Sequence, residues 1–333
     1  MSDVAAPTLA AAVARRLARR ARWRGTEIAF WAIAAASVLL LPGKHLILTE
    51  IAILGLFALS LDLLLGYAGI ISLGHAAFFG FGAYAAGLFA KHGIIGEPVL
   101  ALVAAGLIAA ALGFATSFLV LRGSDLTRLM VTLGVSLVLR EIANRYDGLT
   151  GGADGLQGIT VAPVLGRFAF DIGGHVAYVY SLIVLFVLFL VARRIVYSPF
   201  GLSLRALKGN PLRASAIGIP VDGRLVAIYT VAAGYAGIAG ALLTQATQFC
   251  SLDVFSFERS ADLLVMLILG GTGYLYGGLV GATLFKLMQD WLAGITPQYW
   301  QFWIGLMLVV IVLVSRERMA RWLAAVRSLL RKG

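Results

Sequence analysis

Residues 66–87 read GYAGIISLGHAAFFGFGAYAAG, an apolar run long enough to cross a bilayer. Six glycines and one histidine, His75, interrupt it. The glycines are not spaced to lie on one helical face, so they do not define a simple seam between two helices. Non-helical backbone at membrane depth is tolerated only where protein or a water-filled cavity covers it. We therefore interpret 66–80 as a broken segment that lines a pathway, with tight helix packing as the alternative explanation of the glycines.

The composition of the whole chain is that of a membrane protein. Of its 333 residues, 60% are hydrophobic and 13% are charged, and the mean hydropathy is +0.92. Apolar blocks of about 20 residues recur along the chain, which excludes a soluble enzyme with a single apolar core. We predict an all-α, polytopic fold with about 10 transmembrane or partly spanning helices. The predicted spans are 28–43, 46–65, 69–90, 98–121, 126–144, 176–192, 225–248, 258–271, 277–294 and 299–315.

Basic residues are concentrated on one side of these spans. Six Lys and Arg residues lie in each of 1–27, 193–224 and 315–333, whereas the segments of the opposite side together hold five. The positive-inside rule therefore places both termini in the cytoplasm. The net charge of +11 then reflects orientation and contact with lipid headgroups, and no nucleic-acid partner is expected.

The predicted organisation follows from this orientation. The transmembrane domain, 28–315, is flanked by two basic cytoplasmic tails, 1–27 and 316–333. The N-terminal tail lacks the short apolar core and cleavage site of a signal peptide. Within the domain, 145–175 is predicted to be an outside loop and 193–224 a cytoplasmic loop.

Catalytic chemistry has no visible place in the sequence. None of the five lysines precedes Ser or Thr, so the chain has no phosphate loop with which to bind ATP. The single cysteine, Cys250, and the absence of an H-E-x-x-H motif leave no metal-ligand set. We assign no catalytic residue, no metal and no cofactor to this chain, and a membrane-embedded enzyme is the least supported function class.

The cytoplasmic loop encodes two short helices. Gly209 ends the first, Asn210 is a favoured N-cap and Pro211 suits the first position of the second. Helices this short are not stable alone in water, so they must dock on something. The membrane surface is one possible partner, through the cations of the loop. Small residues such as Ala206 and Ala214 favour a protein partner instead.

A second glycine cluster, LGGTGYLYGGLVGA at 269–282, lies in the other half of the chain. Paired glycine-interrupted segments point to a translocation site in transporters. Intramembrane charges default to function or internal pairing. Lys286 and Asp290 can pair at i,i+4, Asp62 has no obvious partner, and we expect His75 to be a hydrogen-bonding packing residue rather than a proton carrier.

Four stretches resemble one family, the inner-membrane permeases of ABC-type branched-chain amino acid uptake systems, on the LivM side of the usual permease pair. They are LGYAGIISLGHAAFFGFGAYAA (65–86), LTGGADGLQGI (149–159), SPFGLSLRALKGNPLRASAIGI (198–219) and the glycine cluster at 269–282. The resemblance covers about 46–315, and its first stretch is the most specific. Asp62, Pro211 and the segment Ser124–Arg128 depart from the family pattern.

The resemblance implies a mechanism and partners. A periplasmic binding protein would deliver a small solute, this chain and a second, LivH-type permease would enclose the path, and two ATPase subunits would bind ATP and move the cytoplasmic loop. The loop 145–175 would be periplasmic. Branched-chain amino acids are the default substrate, with amides, urea and aromatic acids left open. An ion-coupled secondary transporter is the alternative function, although it does not explain the basic two-helix loop.

Three groups of site residues follow from these interpretations. The pathway residues are Gly69, Ser72, Gly74, His75, Phe78, Phe79, Gly80 and Tyr84. The residues for coupling to the ATPases are Arg205, Ala206, Asn210, Ala214 and Gly218. The second glycine cluster contributes Gly270, Gly271, Gly273 and Gly277 to the pathway or to packing.

Overall fold

A computed structural model describes residues 23–313, so the tail 316–333 and most of the tail 1–27 lie outside the described residues. Within them the regular elements are all helical, and β-structure is confined to two isolated bridges. The predicted all-α class is confirmed. The α-helices in chain order are α1 Gly25–Leu40, α2 His45–Leu61, α3 Ala76–Lys91, α4 Pro98–Val120, α5 Asp125–Arg145, α6 Asp147–Thr150, α7 His175–Val196, α8 Pro199–Gly209, α9 Pro211–Ala216, α10 Val221–Thr247, α11 Phe257–Gly270, α12 Leu275–Ile295 and α13 Trp300–Leu313.

Each of the ten predicted spans coincides with one helix. Four segments are long and apolar enough to cross a membrane: α2 with its continuation to Ala68, α4, α7 and α10. The pair α11 and α12 qualifies as one broken span, bent by 112°. The other predicted spans are shorter or less apolar helices. The span predicted at 69–90 is helical only from Ala76, because the chain before it is not helical.

Helix α10 lies at the centre of the described core and packs along α2, α3 and α4. Its backbone comes very close to α3, since a side chain at Gly82 would meet the backbone of Gly237, and one at Gly240 would meet the carbonyl of Phe79. Small residues permit this close approach, which drives helix association where lipid offers no hydrophobic gain. The central glycines therefore hold the scaffold together.

The outside loop predicted at 145–175 matches the connection between α5 and α7. Leu156 pairs with Cys250 through two backbone hydrogen bonds, which ties the loop to the connection after α10. Asp171 stabilises the start of α7, because its carboxylate accepts hydrogen bonds from the backbone N–H groups of Val176 and His175, at 2.8 and 3.1 Å. These hydrogen bonds favour the ionised carboxylate and lower the pKa of Asp171.

The chain divides into a larger unit that ends at Ala282 and a smaller one that begins at Thr283. The smaller unit holds the second half of α12 and the almost wholly apolar α13, WQFWIGLMLVVIVL. Everything described below lies in the larger unit.

Candidate functional site

The helical structure is broken after α2, at the start of the stretch 66–80 that is predicted to be a broken segment. Helix α2 widens into a π-helix, Asp62–Ala68, which ends at Gly69. Gly69 has φ +76°, a left-handed conformation that glycine adopts without steric cost, and its N–H donates to the Leu64 carbonyl. The chain then runs without helix until α3 begins at Ala76. The predicted break within 66–80 is therefore present at 69–75, whereas 76–80 already belongs to α3.

His75 anchors the non-helical segment to α2. Its Nε2 and the Ser60 hydroxyl lie 2.8 Å apart, and its ring stacks on Phe57 with centroids 5.8 Å apart. The imidazole is fully buried, and its Nδ1 has no hydrogen-bond partner among the described residues. This geometry suits the predicted packing and hydrogen-bonding role of His75.

Two side chains from other helices hold the backbone of the same segment. The Leu73 N–H donates to Thr132 Oγ1 of α5 at 3.2 Å, and the Ala76 N–H donates to Ser260 Oγ of α11 at 3.1 Å. These bonds satisfy N–H groups that the missing helical turns leave open. The broken segment is thus held from three sides, by α2, α5 and α11.

The predicted pathway residues are packed inside the chain in this conformation. Gly69 is partly exposed, and the other seven are buried: Ser72, Gly74, His75, Phe78, Phe79, Gly80 and Tyr84. A side chain at Gly74 would overlap the Thr132 carbonyl. Close packing therefore accounts for Gly74 here, and the pathway role of these residues stays a prediction.

The second glycine cluster forms another break, between α11 and α12, and the two breaks touch. Asp62 Oδ1 accepts the Gly273 N–H at 2.7 Å, which supplies the partner that sequence reasoning could not find. A side chain at Gly66 would meet both the Asp62 carboxylate and the Gly273 nitrogen. Gly270 and Gly277 pack on each other where the backbone bends.

The loop predicted to be cytoplasmic contains the two predicted helices, α8 and α9. Asn210 caps α9, because its Oδ1 accepts the Arg213 N–H at 3.0 Å. Pro211 occupies the start of α9, and Gly218 follows its end with φ +85°. The segment outside the long helices is 197–220, shorter than the predicted 193–224, because α7 runs on to Val196 and α10 begins at Val221.

Helix α8 docks on the π-helix Asp62–Ala68, which continues α2. Lys208 Nζ donates to the Gly66 carbonyl at 2.8 Å, and the Arg205 guanidinium lies 5.3 Å from the centre of the Tyr67 ring. Sequence reasoning treated Lys208 only as a cation of the loop. The position of Lys208 among the cations of the loop did not indicate that its partner would be a backbone carbonyl 142 residues away.

The outward face of α9 differs from the expectation for the coupling residues. Ala214, expected to meet a partner, is only 2% exposed and is covered by this chain, and Ala206 is partly buried. The exposed large apolar side chains of α9 and its end are instead Leu212 and Ile217, at 83% and 75%. The sequence shows these two large apolar residues within a basic loop, but it was interpreted only as giving the loop modest apolar faces, and they were not predicted as partner contacts.

A cavity of about 890 Å³ opens beside this docking site. Its wall includes Gly66, Tyr67, Arg205 and Lys208, and also Arg24 at the start of α1. The cavity adjoins both breaks, because its wall includes Gly66 from the π-helix and Gly273 from the break between α11 and α12. Of the predicted site residues, only Arg205 and Gly273 line it.

An all-helical core with long apolar spans and two touching breaks defines this chain as a multi-pass membrane protein of the transport class. Residues 45–312 match the family described as "Branched-chain amino acid transport system / permease component", and the chain belongs to that family.

Two curated relatives bear the name "High-affinity branched-chain amino acid transport system permease protein LivM", one from Escherichia coli (strain K12) and one from Salmonella typhimurium (strain LT2). Each is 27% identical to this chain over 260 residues, covering 71% of this chain and 61% of the relative's length. The chain thus spans less than two thirds of the curated relatives it matches. No solved structure matches it significantly.

Proposed function

We propose that this chain is a permease subunit of an ATP-driven importer in the bacterial inner membrane. With a second, LivH-type permease it forms the translocation path for branched-chain or other hydrophobic amino acids, or for related small solutes. A periplasmic binding protein delivers the solute. Two ATPase subunits bind the ATP, and this chain has no ATP site or cofactor of its own. Family membership supports the permease class.

The observation that carries the coupling role is the docking of the two-helix loop on the π-helix Asp62–Ala68. The loop presents Leu212 and Ile217 outward, so an ATPase can grip it by two apolar side chains. On its inner side the Lys208 ammonium holds the Gly66 carbonyl. A hydrogen bond from a charged donor is stronger than a neutral one, so this contact can transmit a movement of α8 to the π-helix.

The π-helix and Gly69 together form a segment that such a movement can displace. A π-helix and a left-handed glycine are weaker than a continuous α-helix, so displacement concentrates at Gly69 rather than in the body of α2. The Asp62 bond to the Gly273 N–H then links the motion to the second break. A displacement of the loop would in this way open or close both breaks together.

The test replaces Lys208 in the complete transporter, reconstituted in lipid vesicles with its binding protein. Lys208→Met removes the ammonium but keeps a long apolar stem. We expect the ATPases to co-purify and to hydrolyse ATP, while uptake per ATP falls at least about tenfold, since a charge-assisted hydrogen bond contributes roughly 1.5–3 kcal/mol. Arg213→Met is the matched control, because Arg213 is an exposed cation of the same loop.

Two outcomes would contradict the proposal. Normal coupling in Lys208→Met would remove the proposed link between loop and span. Uptake by this chain in vesicles that carry an ion gradient but no ATPase subunits would instead favour the ion-coupled secondary transporter.

A further inference from the structure

The cavity beside α8 is rich in cations. Arg24, Arg205 and Lys208 line it, and Glu27 is the carboxylate in its wall. Glu27 already accepts a hydrogen bond from Arg193 at 2.9 Å, in an ion pair whose two side chains are mostly buried. Within residues 23–313, no carboxylate lies at ion-pair distance from the three lining cations. The buried Asp62 carboxylate attracts Lys208 from behind the wall. With Glu27 paired to Arg193, the three lining cations still outnumber the carboxylate charge available to them, so the space has an excess of positive charge.

The donors of these cations are only partly used. A lysine ammonium has three N–H groups, and the Lys208 bond to the Gly66 carbonyl accounts for one. The Arg205 guanidinium rests on the Tyr67 ring and also interacts with the Tyr67 hydroxyl, which leaves most of its five N–H donors available. Several charged donors thus converge on one space without matching acceptors, which is the arrangement that binds phosphate.

An amino acid in transit fits this cavity poorly. Its carboxylate would find cations, but its ammonium needs an anion, and Glu27 is held by Arg193. Burying an unpaired ammonium is costly. A ligand with negative charge and no required cation fits better, so the cavity is distinguished from a transport site for zwitterions.

We propose that this cavity binds the phosphate of an anionic phospholipid from the cytoplasmic leaflet. Basic pockets between helices at the cytoplasmic end of a membrane protein are suited to such headgroups. Phe30, Leu275 and Val280 give the cavity an apolar wall beside which an acyl chain can lie. Tyr197 and Tyr274 also line it, and tyrosine is favoured at the depth of the headgroups. The leaflet assignment rests on the orientation in the proposed function.

The site has a consequence for the importer. The headgroup would contact Arg205 and Lys208, the two cations that join α8 to the π-helix. Bound lipid would shield these charges from each other and hold α8 in place. A soluble phosphate compound offers the same anionic oxygens, so the experiment separates the two sources.

The experiment measures lipid retained by the complete transporter, purified in mild detergent, using native mass spectrometry. The probes are phosphatidylglycerol, which is anionic, and phosphatidylethanolamine, which is zwitterionic. The double variant Arg24→Gln/Arg205→Gln removes two lining cations. The matched control, Arg194→Gln/Arg213→Gln, removes two exposed cations from the same side that do not line the cavity. Arg24→Lys/Arg205→Lys keeps the charge and controls for folding.

We expect the unaltered transporter and the control to retain phosphatidylglycerol in preference to phosphatidylethanolamine. In the Gln double variant retention should fall about twenty-fivefold, the product of roughly fivefold for each cation, and the Lys double variant should recover most of it. An equal fall in the control would show unspecific attraction to the loop and overturn the site. Release of the lipid by inorganic phosphate at matched ionic strength would assign the cavity to a soluble anion and overturn the lipid source. Retention does not depend on uptake, so this result is separable from failure of the proposed function.

Discussion

Asp62 illustrates how a charged residue can be accommodated at membrane depth. Its Oδ1 accepts the Gly273 N–H, while its Oδ2 has no hydrogen-bond partner among the described residues. The Gly273 N–H lies in a break between helices, where no helical carbonyl is available to it. The carboxylate therefore satisfies a backbone donor that would otherwise be buried alone, at a cost of about 1–3 kcal/mol. A structural role explains this residue without invoking proton movement.

Gly74 offers a test of packing against pathway. A Cβ at Gly74 would overlap the Thr132 carbonyl, so Gly74→Ala should force α5 away and lower the yield and thermal stability of the purified transporter. The matched control is Gly134→Ala, in the middle of α5, where an added Cβ meets nothing within 4 Å. That variant should be neutral or stabilising by up to about 1 kcal/mol, because alanine is the better helix former.

The two measurements have separable outcomes. A Gly74→Ala transporter that folds normally but takes up no solute would favour the pathway explanation. One that folds and transports normally would contradict both explanations.

The two-helix loop shows which elements the sequence could predict. The Asn210 cap, Pro211 at the helix start and the glycine ends are local signals, and the helices form where those signals lie. The broken span was also predictable, since glycines around the whole circumference of a helix weaken it locally. These features depend on residues within a few positions of one another.

What the loop touches could not be predicted. The bonds of Lys208 to Gly66 and of Asp62 to Gly273 join residues 142 and 211 positions apart. A single sequence gives the type and spacing of such residues but not which helices become neighbours. For the same reason the buried side of α9 was misjudged at Ala214: a helix of six residues is too short for its apolar pattern to identify one face.

The corrected faces of α9 lead to contrasting effects of two substitutions. Leu212 is exposed, so Leu212→Glu should leave the loop folded but weaken its apolar contact with the ATPases. Ala214 is buried against this chain, so Ala214→Glu should disrupt the loop itself, because it buries an unpaired charge. The measurements are ATPase co-purification and limited proteolysis of the loop.

We expect Leu212→Glu to lose at least about tenfold in retained ATPase with unchanged proteolysis, since interface anchors often contribute 2 kcal/mol or more. Ala214→Glu should lose the ATPases and become sensitive to protease within 197–220. The opposite assignment of these effects would restore Ala214 as the contact residue. Full ATPase retention in both would place energy input elsewhere.

Taken as a whole, the larger unit brings cations from several elements together at one end. Arg24, Tyr197, Arg205 and Lys208 line the same cavity, although they come from the start of α1, the end of α7 and the loop helix α8. From the positive-inside rule we predict that this end is cytoplasmic and that the connection that contains Leu156 lies outside. The leaflet of the lipid site and the direction of coupling depend on this one orientation.

The orientation can be tested with two single cysteines in a Cys250→Ala background. Leu212→Cys and Ala153→Cys place thiols at exposed positions, in the loop 197–220 and in the connection between α5 and α7. Cys250 itself is buried, and Ala keeps a small apolar group in its place. A membrane-impermeant maleimide applied to spheroplasts of cells that lack the ATPase subunits should label the Ala153→Cys protein and leave the Leu212→Cys protein unlabelled. After the membrane is permeabilised both should react, which controls for access to the thiols. Labelling of the Leu212→Cys protein from outside an intact membrane would overturn the predicted orientation. It would mean that the twelve basic residues in 1–27 and 193–224 had crossed a bilayer, against the charge bias that normally retains such residues in the cytoplasm.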